Sequence, residues 1–156
     1  MKSISLIIYD FDGIMTDNKV YIDQNGNETV QVNRADGLGV AEIKKLGLQQ
    51  IIVSTEMNPV VSVRAKKLNL PYLQGVENKS FAISKYCKQN KISMNNVAYV
   101  GNDINDYEAM KIVGTTFCSA DAHQKIKLIS HHVLMSKGGE GVVREILDIL
   151  TKKLKK

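Results

Sequence analysis

Leu6-Ile7-Ile8-Tyr9-Asp10-Phe11-Asp12-Gly13 decides how this chain is read. Leu6 to Tyr9, with Ser5 before them, form a continuous apolar run of the length expected for a strand buried on both faces. Asp10 ends that run abruptly and Asp12 follows, so carboxylates stand where a central strand would leave its sheet. Two further runs behave alike: Gln50 to Val53 leads into Ser54-Thr55-Glu56, and Val97 to Val100 into Gly101-Asn102-Asp103-Ile104-Asn105-Asp106. Leu70 to Leu73 and Gly114 to Cys118 read as shorter strands. Helical patterns lie between them. Leu38, Ala41, Ile43 and Leu46 precede a stop at Gly47, Asn58-Pro59 opens a helix to Leu68, and Ala82, Ile83, Tyr86 and Cys87 make one stripe. Another helix runs through Met110, and a last amphipathic one uses Val143, Ile146, Leu147, Leu150 and Leu154. Such alternation predicts an α/β fold, a doubly wound and mostly parallel sheet with helices on both faces.

Working outward, Val20-Tyr21-Ile22 and Thr29 to Val32 flank Asn25-Gly26, the dipeptide of a tight turn. A protruding hairpin over residues 17–33 is therefore expected after the first strand, within one domain spanning residues 1–156. No apolar run approaches the roughly 20 residues of a membrane span. Asp10 cuts short the apolar start that an export signal would need, so a cytoplasmic protein is expected. Cys87 and Cys118 are lone thiols without metal-like spacing. The formal charge is +5, but Lys152, Lys153, Lys155 and Lys156 crowd a tail expected to fray. With no Trp and no aromatic-basic interleaving, a nucleic-acid platform is not supported, and a small anionic substrate suits the charge.

In open α/β sheets ligands bind beyond the carboxyl ends of the strands. Asp10, Asp12, Ser54 to Glu56, Asn102, Asp103 and Asp106 are thus expected in one crevice. Carboxylates gathered there repel one another unless a cation neutralises them, which points to a hard divalent ion. Mg²⁺ fits, because it takes a few carboxylate oxygens and completes its shell with water and phosphate. This is the outline of a phosphoryl-transfer site.

At this point a family resemblance can be stated. Asp10-Phe11-Asp12-Gly13 with Thr16 resembles the first motif of the haloacid dehalogenase-like phosphatases. Ser54, Lys79 and the Gly101–Asp106 loop are similar to the second, third and fourth. The resemblance implies that Asp10 is the nucleophile that forms an aspartyl-phosphate, and that Asp12 is the general acid and base. It gives Ser54 and Lys79 the task of holding phosphate, and Thr16 and Asp106 supporting roles. The metal would be held by Asp10, Asp12 and the Asn102-Asp103 pair. Many relatives carry Gly-Asp-Asp where this chain has Gly101-Asn102-Asp103, so either Asp103 ligates directly or Asn102 does with Asp103 behind it.

Neither the 17–33 hairpin nor the stretch from Ser54 to Lys79 has room for a cap domain. The chain therefore resembles the capless subgroup, whose members assemble as homo-oligomers, commonly tetramers. Exposed Val20, Ile22, Val30 and Val32 would favour such burial. Within that subgroup Asp36-Gly37, Arg64 to Leu68 and Lys137 to Glu145 resemble the sugar-acid phosphatases. Glu56 stands where octulosonate enzymes carry Arg, so a nonulosonate 9-phosphate (a sialic-acid-like sugar) is the expected substrate, with 3-deoxy-manno-octulosonate 8-phosphate as the alternative. Glu56, Arg64 and Lys67 are the candidate sugar-binding residues; Arg64 and Lys67 lie three apart on one helix face. A reading from another class is a non-catalytic oligomerisation module of the kind joined to sialic-acid cytidylyltransferases, against which intact Asp10, Asp12 and Lys79 argue.

Overall fold

Leu6–Tyr9 forms β1, at the centre of a six-stranded sheet in a computed structural model that describes residues 3–154, with side chains to Lys152. The remaining strands are β2 (Tyr21–Ile22), β3 (Glu28–Thr29), β4 (Gln49–Val53), β5 (Tyr72–Leu73), β6 (Val97–Gly101), β7 (Thr115–Cys118) and β8 (His132–Val133). The order β5-β4-β1-β6-β7-β8 is parallel throughout, with β1 paired to β4 on one side and β6 on the other. The chain winds outward from β1 to β5 and then returns to β6. The order therefore switches at β1, where a crevice opens beyond the strand ends.

Side chains alternate across β1, and each face builds its own core. Ile7 and Tyr9 pack with Val40 and Ile43 of α1 (Arg34–Lys45), Val61 and Ala65 of α2 (Val60–Leu68), and Ile146 and Leu147 of α6 (Val142–Leu154). Leu6 and Ile8 pack with Ile83 and Cys87 of α3 (Lys79–Gln89), Met110 of α4 (Tyr107–Lys111) and Ile126 of α5 (Gln124–Ile129). Helices thus cover both faces, as expected. Gly39 lets α1 approach α6 closely, since a Cβ there would stand 3.0 Å from the Arg144 nitrogen. Tyr9 Oη donates to Gln50 Oε1 at 2.9 Å and Gln50 Nε2 donates to the Val40 carbonyl at 3.0 Å, so this buried polar group is satisfied.

Two expectations need correction. The hairpin protrudes only in part: Tyr21 and Ile22 are 68% and 65% exposed, but Val30 and Val32 pack against the core and Thr16 bridges to Val32. The tail is helical through Lys152 and Lys153; Lys155 and Lys156 lie outside the described residues. Helix α5 and strand β8 were not legible in the sequence pattern. Among the described residues no helix is long and apolar enough to cross a membrane.

Candidate active site

Asp10 lies one residue past β1 and is almost wholly buried. Its Oδ1 accepts from the Phe11 N–H at 2.8 Å and stands 2.7 Å from Lys79 Nζ. Lys79 opens α3, whose N-cap Asn78 accepts from the Phe81 N–H. It is not a surface lysine: its side chain is 1% exposed, and its ammonium also sits 2.7 Å from Asp106 Oδ1. Asp106 in turn accepts from Tyr99 Oη at 2.6 Å and, through Oδ2, from the Asn102 N–H at 2.8 Å. One buried cation therefore joins the ends of β1 and β6, and every charge in the group has a partner.

Burial pushes the Asp10 carboxyl up to about 8, and the Asp106 charge adds to this, while Lys79 and the Phe11 N–H oppose it. Burial works against the Lys79 charge, yet Asp10 and Asp106 hold its ammonium above the usual lysine range. Asp12, on the rim, is raised by burial first and then by the Glu56 carboxylate; Lys79 and a hydrogen bond from Thr16 pull it down, and Glu28 raises it further. A carboxyl raised in this way keeps its proton to higher pH than a free aspartate, which suits a general acid.

The fourth motif turns Asn102 and Asp103 in different directions. Asn102 is buried, and one terminal atom of its amide lies 2.9 Å from the Asp12 carbonyl oxygen and 3.2 Å from Asp10 Oδ2. Placed as nitrogen, that atom donates to both; placed as oxygen, it is a third acceptor facing two others. Asp103 is exposed, and its Oδ1 accepts from the Ile104 N–H at 2.7 Å, capping the turn that follows. Gly13 makes room for Asn102, for a Cβ there would overlap the Asn102 amide and its φ of +76° is left-handed.

These oxygens fit a divalent ion. No trio of His, Cys, Asp or Glu side chains is gathered to hold a metal among the described residues. The convergent set is instead a carboxylate, a backbone carbonyl and an amide, all oxygen donors, as Mg²⁺ prefers.

Asp10, Asp12, Asn18, Thr55, Asn102, Asp103 and Asn105 line a crevice of about 280 Å³. Thr55 belongs to the Ser54 to Glu56 stretch expected here, whereas Asn18 and Asn105 escaped sequence reasoning; a signal for Asn18 is its place just past the first motif, where it takes a φ of +64°. Ser54 is buried behind the crevice, with its Oγ accepting from the Glu56 N–H at 3.1 Å. Thr16 Oγ1 accepts from the Gly13 and Asn18 N–H groups at 3.2 Å each and so shapes the first-motif loop. Glu56 follows Thr55 but is not among the residues that line the crevice, and its Oε1 accepts from the Met57 and Asn58 N–H groups at 2.6 and 2.7 Å. Arg64 and Lys67 are not brought into this crevice: Arg64 Nη2 donates to the Asn33 carbonyl at 2.8 Å, and Lys67 is exposed on α2. The glycine-rich segment backs the first motif rather than lining the crevice, with a Cβ on Gly138 overlapping the Gly13 carbonyl. A larger groove of about 500 Å³ between Ile104, Tyr107 and Leu128 contains none of the crevice residues.

Known proteins resemble this chain in sequence and in fold. A family model described as haloacid dehalogenase-like hydrolase matches residues 63–146. The 3-deoxy-D-manno-octulosonate 8-phosphate phosphatase KdsC of Escherichia coli K12 is 34% identical over 150 residues, covering 96% of this chain and 80% of its own. The solved structure of the Moraxella catarrhalis 3-deoxy-D-manno-octulosonate 8-phosphate phosphatase, in complex with magnesium, phosphate and KDO, matches with a TM-score of 0.91 and 29% identity, over 96% of this chain and 86% of that one. A HAD family protein from Streptomyces avermitilis matches with a TM-score of 0.91 and 43% identity, over 93% and 83% of the two chains. The chain belongs to the haloacid dehalogenase-like hydrolases, among their phosphatases.

Proposed function

We propose that this protein is a divalent-metal-dependent phosphomonoesterase that hydrolyses a sugar-acid phosphate, 3-deoxy-manno-octulosonate 8-phosphate, through an aspartyl-phosphate on Asp10. The observation that carries the chemistry is Asp10 fixed on one oxygen by Lys79 and Phe11, with its other oxygen among the acceptors contributed by Asn102 and Asp12. The substrate rests on the relatives, several of which bear that enzyme's name at about one-third identity. They favour the eight-carbon sugar over the nine-carbon one expected from Glu56.

Asp10 attacks phosphorus, its new O–P bond forming as the ester P–O bond breaks. Asp12, whose carboxyl is raised by burial and by the Glu56 charge, gives its proton to the departing alkoxide. Asp12 then takes a proton from the water that attacks the aspartyl-phosphate, which restores Asp10 and releases inorganic phosphate. Lys79 keeps Asp10 in place and offsets charge on the phosphoryl oxygens, while Asp106 and Tyr99 hold Lys79. Ser54 Oγ, already accepting from Glu56, retains its proton to donate to phosphate. Asp10, Asn102 and the Asp12 carbonyl would hold Mg²⁺, with Asp103 behind; when bound, the ion draws the substrate phosphate in and neutralises developing charge.

The crevice of about 280 Å³ accommodates the phosphate end of such a sugar and leaves the rest outside. A homo-oligomer, a tetramer as in the capless subgroup, would complete the site, with exposed Tyr21 and Ile22 buried between copies and Lys67 offered to a neighbour. A second reading, a nonulosonate 9-phosphate, is favoured by Glu56 alone, whose carboxylate is close enough to Asp12 to act on its charge. Phosphate release with Mg²⁺ from the two sugar-acid phosphates separates the readings. Faster turnover of the eight-carbon ester, abolished in Asp10→Asn, is expected; preference for the nine-carbon ester would reverse the choice, and no release from either would reject both.

A further inference from the structure

Among the described residues three besides glycine take a left-handed backbone: Asn18 at φ +64°, Asn69 at +53° and Lys91 at +56°. Asn69 caps the end of α2 and Lys91 lies just past the end of α3, where that conformation is the ordinary way to close a helix. Asn18 closes no helix. It sits in the bend that follows the first motif, and it lines the crevice with Asp10 and Asp12. Glycine would take such a φ at lower cost, and a strained residue persists only where its surroundings hold it. They do so here. Thr16 Oγ1 accepts from the Asn18 N–H at 3.2 Å, and Asp17 Oδ1 accepts from the Lys19 N–H at 3.1 Å. Gly139 packs so tightly behind the bend that a Cβ on it would stand 2.7 Å from the Asp17 nitrogen. Gly139 is itself tied down, its N–H donating to the Ile14 carbonyl and its own carbonyl accepting from Asn33 Nδ2.

The fixed bend leaves the Asn18 side chain exposed at the crevice mouth, with no hydrogen-bond partner among the described residues. Thr16 Oγ1, which holds the Asn18 N–H, also donates to Asp12 Oδ1 at 3.5 Å, so Asn18 is carried beside the carboxyl that protonates the leaving group. Thr55 and Asn105, the other exposed uncharged residues of the crevice, belong instead to the loops of Ser54 and Asp103. We propose that Asn18 is a specificity-determining residue: its side-chain amide binds a hydroxyl on the carbon next to the ester carbon of the leaving group, and so selects polyol phosphates over plain alkyl phosphates. An amide both donates and accepts, as a hydroxyl does, so the two pair without a charge on either. An alkyl chain in the same place would take water from the amide and return no hydrogen bond. An aldulosonate phosphorylated on its last carbon carries such a hydroxyl. The inference rests on the phosphomonoesterase reading but not on which sugar acid is hydrolysed.

Two esters that differ in that hydroxyl alone, 1,2-propanediol 1-phosphate and propyl phosphate, test it. The ratio of their kcat/KM values is measured with Mg²⁺ for wild type and for Asn18→Gly, which removes the amide and leaves a residue at ease in the left-handed bend. The wild type is expected to prefer the diol ester, and Asn18→Gly to reduce that preference about fivefold, the worth of one net hydrogen bond. A merely conformational role for Asn18 would change both rates alike. An unmoved ratio, or one that rises, therefore overturns the inference while leaving the phosphomonoesterase reading in place. Phosphate release from neither ester by the wild type overturns it too, since it denies that contacts around the phosphate and this hydroxyl suffice for turnover. The phosphomonoesterase reading is then decided separately, by the sugar-acid esters.

Discussion

Lys79 Nζ stands 2.7 Å from Asp106 Oδ1, and both side chains are sealed from solvent between the start of α3 and the end of β6. The pair is closed by Asp10 on one side and Tyr99 on the other, so the ammonium serves two carboxylates at once. Removing the cation leaves Asp10 and Asp106 facing each other in a dry setting. Lys79→Met is therefore expected to lower stability by about 3–5 kcal/mol, the usual cost of breaking a buried ion pair from one side. Urea unfolding in the absence of metal checks it; a loss under about 1 kcal/mol would mean that the group is not interdependent.

Asp12 is expected to matter in proportion to how much proton the leaving group needs. Asp12→Asn should slow release from an alkyl phosphate such as the sugar-acid ester by about 10²–10⁴-fold. An aryl phosphate with an acidic phenol should lose far less in its first, phenol-releasing step. Burst measurements with both substrates decide, and equal losses would remove Asp12 from the role of acid.

Asn102, rather than Asp103, is expected to set the metal requirement. Asn102→Asp adds charge where the acceptors converge and should lower the Mg²⁺ concentration for half-maximal activity by about tenfold, one unit of ion-pairing free energy of the order seen for partly buried charges. Asp103→Ala should change it much less, because that carboxylate is turned to the Ile104 N–H. The reverse ranking in a metal titration would make Asp103 the direct ligand.

Asp36 links α1 to the start of α6, its Oδ1 accepting from the Val143 N–H at 3.0 Å while Oδ2 has no partner. Burial pushes this carboxyl from 3.8 up to about 6, against the pull of the Val143 and Arg144 N–H groups and the Arg64 charge. The folded state thus binds the proton more tightly than the unfolded chain does. This contribution to stability is fully present below about pH 4 and is lost as pH rises to about 6. The stability difference between wild type and Asp36→Asn should accordingly fall by about 2–3 kcal/mol over that window. A difference independent of pH would show that Asp36 is ionised in the fold.

The fold was legible where apolar runs ended in polar residues. Leu6 to Tyr9, Gln50 to Val53 and Val97 to Val100 are buried on both faces, and such strands carry a continuous signal. Helix α5 spans six residues and β8 two, too short for a periodic pattern to stand out from the surrounding loop. In the site, Asp10, Asp12, Ser54 and Lys79 were legible because each follows or precedes a strong element. A contact of Asp106 with Lys79 was one of two roles open to Asp106, but the burial of Lys79 was not legible, since the two residues are 27 apart in sequence. Arg64 was misplaced for a related reason: helix spacing puts it beside Lys67, but only the packing of α2 on α1 shows that it turns to the Asn33 carbonyl.

The covalent step on Asp10 is the centre of the account, and peptide mass spectrometry of acid-quenched Asp12→Asn during turnover of an aryl phosphate with Mg²⁺ tests it most directly. With a leaving group that needs no proton and no base to activate water, the intermediate should accumulate. The account predicts a hydroxylamine-labile phosphoryl group on the peptide containing Asp10, absent when Asp10→Asn is added. Phenol release that persists in Asp10→Asn, or turnover with the phosphoryl group on another residue, would contradict it.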